Sequence, residues 1–254
     1  MAEADDLVPP AWLTSQAGPG SFTEIGRQWA RHLIDLCRLA PDERVLDVGC
    51  GAGRLAIPLT RYLSAAGSYE GLDVLPWAID WCRHEISSRY PAFTFTHADV
   101  ASGQYYPDGA AGPEQYTLPY GADQFDVVCA LSLFTHMLPD GLTRYLSEFA
   151  RVLRKEGRAL LTFYLLNDEA LEAIEGGRVD PMYRFDHRAG AARVTYEDAP
   201  DYIVGYDEAF VVEACATAGL RVRQPVFHGR WADREGAISW QDVIVADVSG
   251  RAAG

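Results

Sequence analysis

The stretch Val45-Leu-Asp-Val-Gly-Cys-Gly-Ala-Gly53 runs from apolar residues into three glycines at alternate positions. Glycine takes positive φ and carries no Cβ, so Gly49, Gly51 and Gly53 mark a turn where a ligand can lie against bare main chain. Asp47 stands just before that turn. Asp73 closes a second apolar run about 20 residues on, where a carboxylate can accept both hydroxyls of a ribose. Asp99, in "HADV", ends a third run and is placed to meet an adenine amine. Either acid can instead cap the segment that follows it. The glycine spacing is GxGxG, and no GK[ST] follows. Both facts oppose a dinucleotide fingerprint and a phosphate P-loop, and with them a nicotinamide oxidoreductase.

His136, in "ALSLFTHM", is the leading candidate for a base. Imidazole titrates near neutrality, which suits removal of a proton from an acceptor hydroxyl. A histidine there can equally serve only to frame a pocket. His187 and His228 are secondary candidates.

Those residues need strands that end together. "RVLDVG", "SYEGLDV", "FTFTHADV", "FDVVCALS" and "RALLTFYLL" read as buried strands. Between them "GRLAIPLTRYLSAA", "PWAIDWCRHEISSRY" and "DGLTRYLSEFARVLR" read as helices. Regular strand–helix alternation predicts a doubly wound α/β fold with a mostly parallel sheet. "LRVRQPVFHG" and "SWQDVIVADV" are expected to pair as an antiparallel hairpin at the sheet edge. Ser21 and Glu24 open an N-terminal helix with a capping box. Residues 1–19 read as a loose arm and 20–250 as one domain. Two segments break the rhythm, at about 101–122 and 177–204; both are rich in aromatics and are expected to cover a substrate.

The chain has 254 residues and a formal net charge of −14. That charge repels phosphate backbones and anionic lipid, so neither nucleic acid nor membrane is expected as a partner. Five single cysteines form no CxxC pair and fit a reducing compartment. The acidic start, "MAEADDLVPP", lacks the apolar core of a signal peptide. A cytoplasmic protein is expected, monomer or homodimer being left open.

With these motifs in order, the chain resembles class I S-adenosylmethionine-dependent methyltransferases, and within them bacterial small-molecule enzymes. The resemblance rests on "VLDVGCGAG", "GLDV", "HADV", "FDVVCALSLFTHML" and "SEFARVLRKEGRALLTFYL". It implies a seven-stranded Rossmann-like sheet with an N-terminal helical cap, and S-adenosylmethionine as cofactor. It also implies that Asp47, Gly49, Gly51, Gly53 and Leu131 surround the methionine part. Asp73 would take the ribose, while Val74, Asp99 and Val100 hold the adenine. The N-terminal helix, with Phe22 and Gly26, would close over the cofactor. Ala130, Leu131 and Ser132 supply no metal-binding acid at the fourth strand end, so a metal-independent enzyme is expected.

The acceptor is expected to be a small molecule methylated at oxygen, a natural product or saccharide. Nitrogen or carbon methylation and a non-catalytic cofactor-binding regulator stay open. Tyr106, Tyr164, Asn167, Tyr183, Phe185, His187, Tyr202 and Trp231 are its expected contacts, with Tyr105, Tyr116, Tyr120 and Tyr196 nearby in the same loops. Arg184, Arg188 and Arg193 are candidates for a carboxylate or phosphate on the acceptor.

Overall fold

The apolar runs of the sequence become the strands of one sheet in a computed structural model that describes residues 7–14 and 20–249. They are β1 (Arg44–Val48), β2 (Ser68–Asp73), β3 (Phe93–His97), β4 (Phe125–Ala130) and β5 (Leu153–Phe163). A second group follows: β6 (Leu165–Leu166), β7 (His187–Ala189), β8 (Ala192–Val194) and β9 (Val204–Asp207). The last two are β10 (Leu220–Val222) and β11 (Asp242–Val248). The main sheet has the order β10-β11-β5-β4-β1-β2-β3. β1 to β5 pair in parallel, and β11 runs antiparallel between β5 and the edge strand β10. This is the doubly wound, mostly parallel sheet that the alternation predicts. β4 is buried along its whole length, as a central strand covered on both faces must be.

The helices are α1 (Ala11–Thr14), α2 (Phe22–Cys37), α3 (Ala56–Leu59), α4 (Pro76–Cys82), α5 (Pro139–Val152), α6 (Asp168–Glu175) and α7 (Glu208–Thr217). One core layer packs α5 and α7 against Leu46, Val48 and Val128. The opposite layer packs α2 and α4 against Val45, Val127 and Cys129. Alternate residues of each strand thus feed opposite layers.

Ser21 caps α2, its Oγ accepting the Glu24 N–H at 3.3 Å. Gly26 lets α2 settle on the glycine turn: a Cβ there would lie 2.2 Å from the Arg54 carbonyl oxygen.

Three expectations are corrected. The helix read in "GRLAIPLTRYLSAA" shrinks to α3, four residues around Pro58, followed by turns. Residues 7–14, read as part of a loose arm, include α1 (Ala11–Thr14) and bury Leu7 and Leu13. The rest of that arm, residues 1–6 and 15–19, lies outside the described residues. The segment 177–204 is not only loop. It contributes the β7–β8 hairpin to a second sheet of order β6-β9-β8-β7. Among the described residues, no helix is long and apolar enough to cross a membrane. All five cysteines are free and buried.

Candidate active site

A cleft of about 1190 Å³ opens along the carboxyl ends of β1, β2 and β4. That is where ligands bind in open α/β sheets. β1 delivers Asp47, and the chain then turns through Gly49 (φ +85°) and Gly51 (φ +51°). The turn is tied to the neighbouring strand, since the Gly49 and Cys50 N–H groups donate to the Leu72 carbonyl at 2.8 and 3.1 Å. A Cβ on Gly51 would meet nothing within 4 Å, so the main chain there faces open space.

Two carboxylates sit beneath this turn. Asp47 is 2% exposed. Its Oδ2 accepts the Tyr69 hydroxyl, and its Oδ1 has no hydrogen-bond partner. Burial pushes its pKa up to about 6, against the Tyr69 hydrogen bond, which favours the charged form. Asp73 accepts the Gly51 N–H at 2.7 Å on Oδ2 and the Leu75 N–H at 2.9 Å on Oδ1. It therefore braces the glycine turn and caps its own strand end while lining the cleft. Burial also raises its pKa, opposed by those backbone donors. Phe22, Val74, Val100 and Leu131 line the same end.

The opposite wall begins just past β4. Ser132 takes φ +59°, a left-handed conformation that non-glycine residues seldom adopt. Its N–H donates to Thr162 Oγ1 at 2.7 Å and its Oγ to Gln241 Oε1 at 3.0 Å. The bend turns a single 3-10 turn, Phe134–His136, towards the cleft. His136 Nδ1 lies 2.7 Å from the Tyr202 carbonyl oxygen. A carbonyl can only accept, so Nδ1 carries the proton and the neutral ring leaves a lone pair on Nε2. The Tyr105 hydroxyl stands 3.5 Å from that Nε2, with the rings edge to face at 5.3 Å. Burial lowers the His136 pKa, so the neutral form is favoured.

Of the expected acceptor contacts, Tyr164, Tyr183 and Tyr202 line the cleft. The others do not. Phe185 and Trp231 are 1% and 2% exposed and pack behind Tyr164 at 5.9 and 5.4 Å, supporting the wall from inside. Asn167 caps α6 through Ala170 N–H and donates to Glu208, which also meets His228. His187 lies on β7, 3.9 Å from Glu197. Tyr106 packs on His97 at 5.3 Å, and its neighbour Tyr105 takes the place at the cleft. Arg184, Arg188 and Arg193 also stand outside the lining.

Two expected cofactor contacts move as well. Asp99 is exposed, outside the lining, and accepts the Ala110 N–H at 3.0 Å. It holds the following loop, the capping role that its position also allowed. Gly53 faces inward: a Cβ there would lie 2.7 Å from Ile86 Cδ1, so this glycine serves packing between the turn and the segment after α4. Sequence reasoning gave no place to Arg54, Met182, Ser239, Trp240 or Gln241, which also line the cleft. The φ of Ser132 left no mark in the sequence. Trp240 did leave one, as an aromatic just ahead of the last strand. Among the described residues, no three His, Cys, Asp or Glu side chains are grouped as a metal ion requires.

Residues 45–157 match the protein family described as "Methyltransferase domain". This stretch is similar to methyltransferase domains. It holds the glycine turn, Asp47, Asp73 and His136. Among curated proteins, the chain is 35% identical to aklanonic acid methyltransferase of Streptomyces sp. (strain C5), over 37% of this chain and 49% of that one. It is 29% identical to nocamycin O-methyltransferase of Saccharothrix syringae, over 55% of this chain and 44% of the relative. The chain thus spans about half the length of the curated relatives it matches. Its fold is that of a solved N1-methyltransferase of 1,6-didemethyltoxoflavin from Burkholderia thailandensis, at TM-score 0.55 and 16% identity. That match covers 89% of this chain and 79% of the other.

Proposed function

We propose that this chain transfers a methyl group from S-adenosylmethionine to a hydroxyl of a small molecule, without a metal ion. The observation that carries the reading is the buried Asp47 Oδ1 with no partner, set beside the open main chain at Gly51. A buried carboxylate oxygen left single is costly, and an ammonium group would satisfy it. An amino-acid moiety lying along a bare glycine turn supplies one. The matched family and the methyltransferases named above point the same way. The solved relative holds S-adenosylhomocysteine in the same fold.

When bound, S-adenosylmethionine supplies a methyl group on a positively charged sulfur. The chain's own residues do the rest. Asp47 takes the ammonium and Gly49 and Gly51 admit the methionine part. Asp73, each oxygen already accepting one N–H, keeps lone pairs for two ribose hydroxyls. Val74 and Val100 supply apolar walls for the adenine. Phe22 on α2 closes that end against water. Across the cleft His136 Nε2 accepts a proton from the acceptor hydroxyl, the Tyr202 carbonyl holding the ring in the tautomer that makes this possible. A nitrogen or carbon acceptor would use the same positioning without that base. The five free cysteines fit a reducing, cytoplasmic setting.

Calorimetry with S-adenosylhomocysteine and NAD, followed by transfer of a labelled methyl group to hydroxylated metabolites, tests the reading. Binding of S-adenosylhomocysteine alone, with label on oxygen, is expected. Preference for NAD would sink it. Cofactor binding with no transfer to any acceptor would leave a binding protein.

A further inference from the structure

The acceptor end of the cleft carries its own chemical signature. The whole cleft, at about 1190 Å³, exceeds the roughly 300–1,000 Å³ of a pocket for one ligand. A second, sizeable compartment therefore lies beyond the glycine turn. Its wall is a run of rings. Tyr164 and Tyr183 have centroids 5.0 Å apart, and Tyr183 and Trp240 5.8 Å apart. Apolar exposure also concentrates here. Seven large apolar side chains are exposed among the described residues; Met182, Tyr202 and Trp240 of these line the cleft, and a fourth, Tyr196, packs edge-on against Tyr202. Exposed apolar surface gathered at a cleft mouth marks a binding surface.

The polar groups on that wall are already paired with one another. Trp240 Nε1–H donates to the Tyr183 hydroxyl at 3.1 Å, Gln241 Nε2 to the Tyr164 hydroxyl at 3.4 Å, and Ser132 Oγ to Gln241 Oε1 at 3.0 Å. The rings therefore turn chiefly apolar faces to the compartment, and those faces suit a flat ring system better than the many hydroxyls of a sugar. The charges add a second restriction. Arg54 is the one arginine or lysine among the described lining residues, and it directly follows the glycine turn and interacts with Asp47. Glu114, Asp140 and Asp201 are the remaining charged lining residues outside the two carboxylates beneath the turn. An anionic acceptor would enter an acidic cleft whose walls offer it no cationic side chain at its own end.

We infer that the acceptor is an uncharged, flat, multi-ring hydroxy compound, stacked between Tyr183, Trp240 and Tyr202, and neither a sugar nor a carboxylated molecule. This rests on the methyl-transfer reading and narrows its acceptor class.

The test uses the full chain saturated with S-adenosylhomocysteine, and equilibrium dialysis against a dihydroxyanthraquinone, its carboxylated counterpart and a hexose. The neutral ring compound should bind about tenfold or more tighter than the carboxylated one, with like charge near the rim setting the gap. The hexose should show no saturable binding. Trp240→Ala, at a half-exposed position, should cost the ring compound about tenfold with S-adenosylhomocysteine affinity unchanged. Asp140→Asn combined with Glu114→Gln should narrow the gap between neutral and carboxylated compounds. Equal or tighter binding of the carboxylated compound or the hexose overturns the inference. So does failure of the ring compound to bind, or its indifference to Trp240→Ala. Failure of the wild-type chain to bind S-adenosylhomocysteine at all overturns the methyl-transfer reading itself.

Discussion

At one end of the cleft, Asp47, Gly49, Gly51 and Asp73 sit on or beside central strands whose neighbours pair on both sides. At the other end, Tyr105, Tyr202 and Trp240 stand on loops and Tyr183 ends a short 3-10 turn, Pro181–Tyr183. The first end positions its groups by hydrogen bonds from the main chain: the Gly49 and Cys50 N–H groups donate to the Leu72 carbonyl, and the Gly51 N–H to the Asp73 carboxylate. The second positions them by side-chain packing, Tyr164 on Phe185 and Trp231, and Tyr183 on Trp240. The rigid end suits a ligand that never changes. The packed end can be altered ring by ring without disturbing the sheet, which is how one fold serves many acceptors.

The contrast predicts a large and local loss at the rigid end. Asp73→Ala removes the acceptor for two backbone N–H groups of the turn and, on the proposed reading, for two ribose hydroxyls. Hydrogen bonds to a charged group contribute about 1.5–3 kcal/mol each, so S-adenosylhomocysteine affinity should fall by roughly a hundredfold or more. Calorimetry and a thermal melt measure the two consequences separately. Unchanged affinity would remove Asp73 from the ribose site and leave it as a brace for the glycine turn.

The same contrast explains how much the sequence disclosed. β1, β2 and β4 are five or six residues long with two or more buried neighbours, so they appear as apolar runs, and their ends locate Asp47, Asp73 and Leu131. What the sequence leaves open at this end is side-chain direction. Asp99 and Val100 are adjacent, and only the second turns into the cleft. Gly53 obeys the motif but faces Ile86. At the acceptor end the strands are too short for an alternating pattern to show, so β7 and β8 hide inside the irregular segment 177–204 and β9 leaves no separate signal before α7. Choosing Tyr106 over Tyr105 was a matter of one residue, decided by the Ser102–Tyr106 bridge that no local pattern reveals. Phe185 and Trp231 look like ligand contacts in sequence because a buried support and an exposed wall use the same residue types.

A smaller effect, read through pH, sharpens the picture of the rigid end. The Asp47 pKa in the folded chain is about 6, above the ordinary carboxylate value of 3.8. The folded state therefore binds more protons than the unfolded state between those values. Stability from this group is fullest below about 3.8, falls as pH rises towards 6, and is level above. Asp73 and Asp242 are shifted in the same direction. Binding of an ammonium-bearing ligand needs the ionised carboxylate and so runs the opposite way. S-adenosylhomocysteine affinity should fall by up to about tenfold per pH unit below 6. Asp47→Asn should bind weakly at all pH values and lose that slope. An identical slope in the variant would place the titrating group elsewhere.

A last contrast sets a large effect beside the smallest one, at two neighbours of the packed end. His136→Ala removes the proposed base, and general-base catalysis is worth about 10²–10⁴ in rate. Turnover should drop by about that much while cofactor affinity holds. In the wild type the acid limb of turnover should lie below 6.5, because burial favours the neutral imidazole. Tyr105→Phe keeps the edge-to-face ring contact and deletes only a hydroxyl that stands 3.5 Å from Nε2, at the outer limit of a hydrogen bond. Turnover should change by less than about threefold, since a contact that long contributes little. Should Tyr105→Phe instead slow the reaction as much as His136→Ala, proton transfer would run through the tyrosine. The histidine would then be a frame that its bond to the Tyr202 carbonyl holds in place.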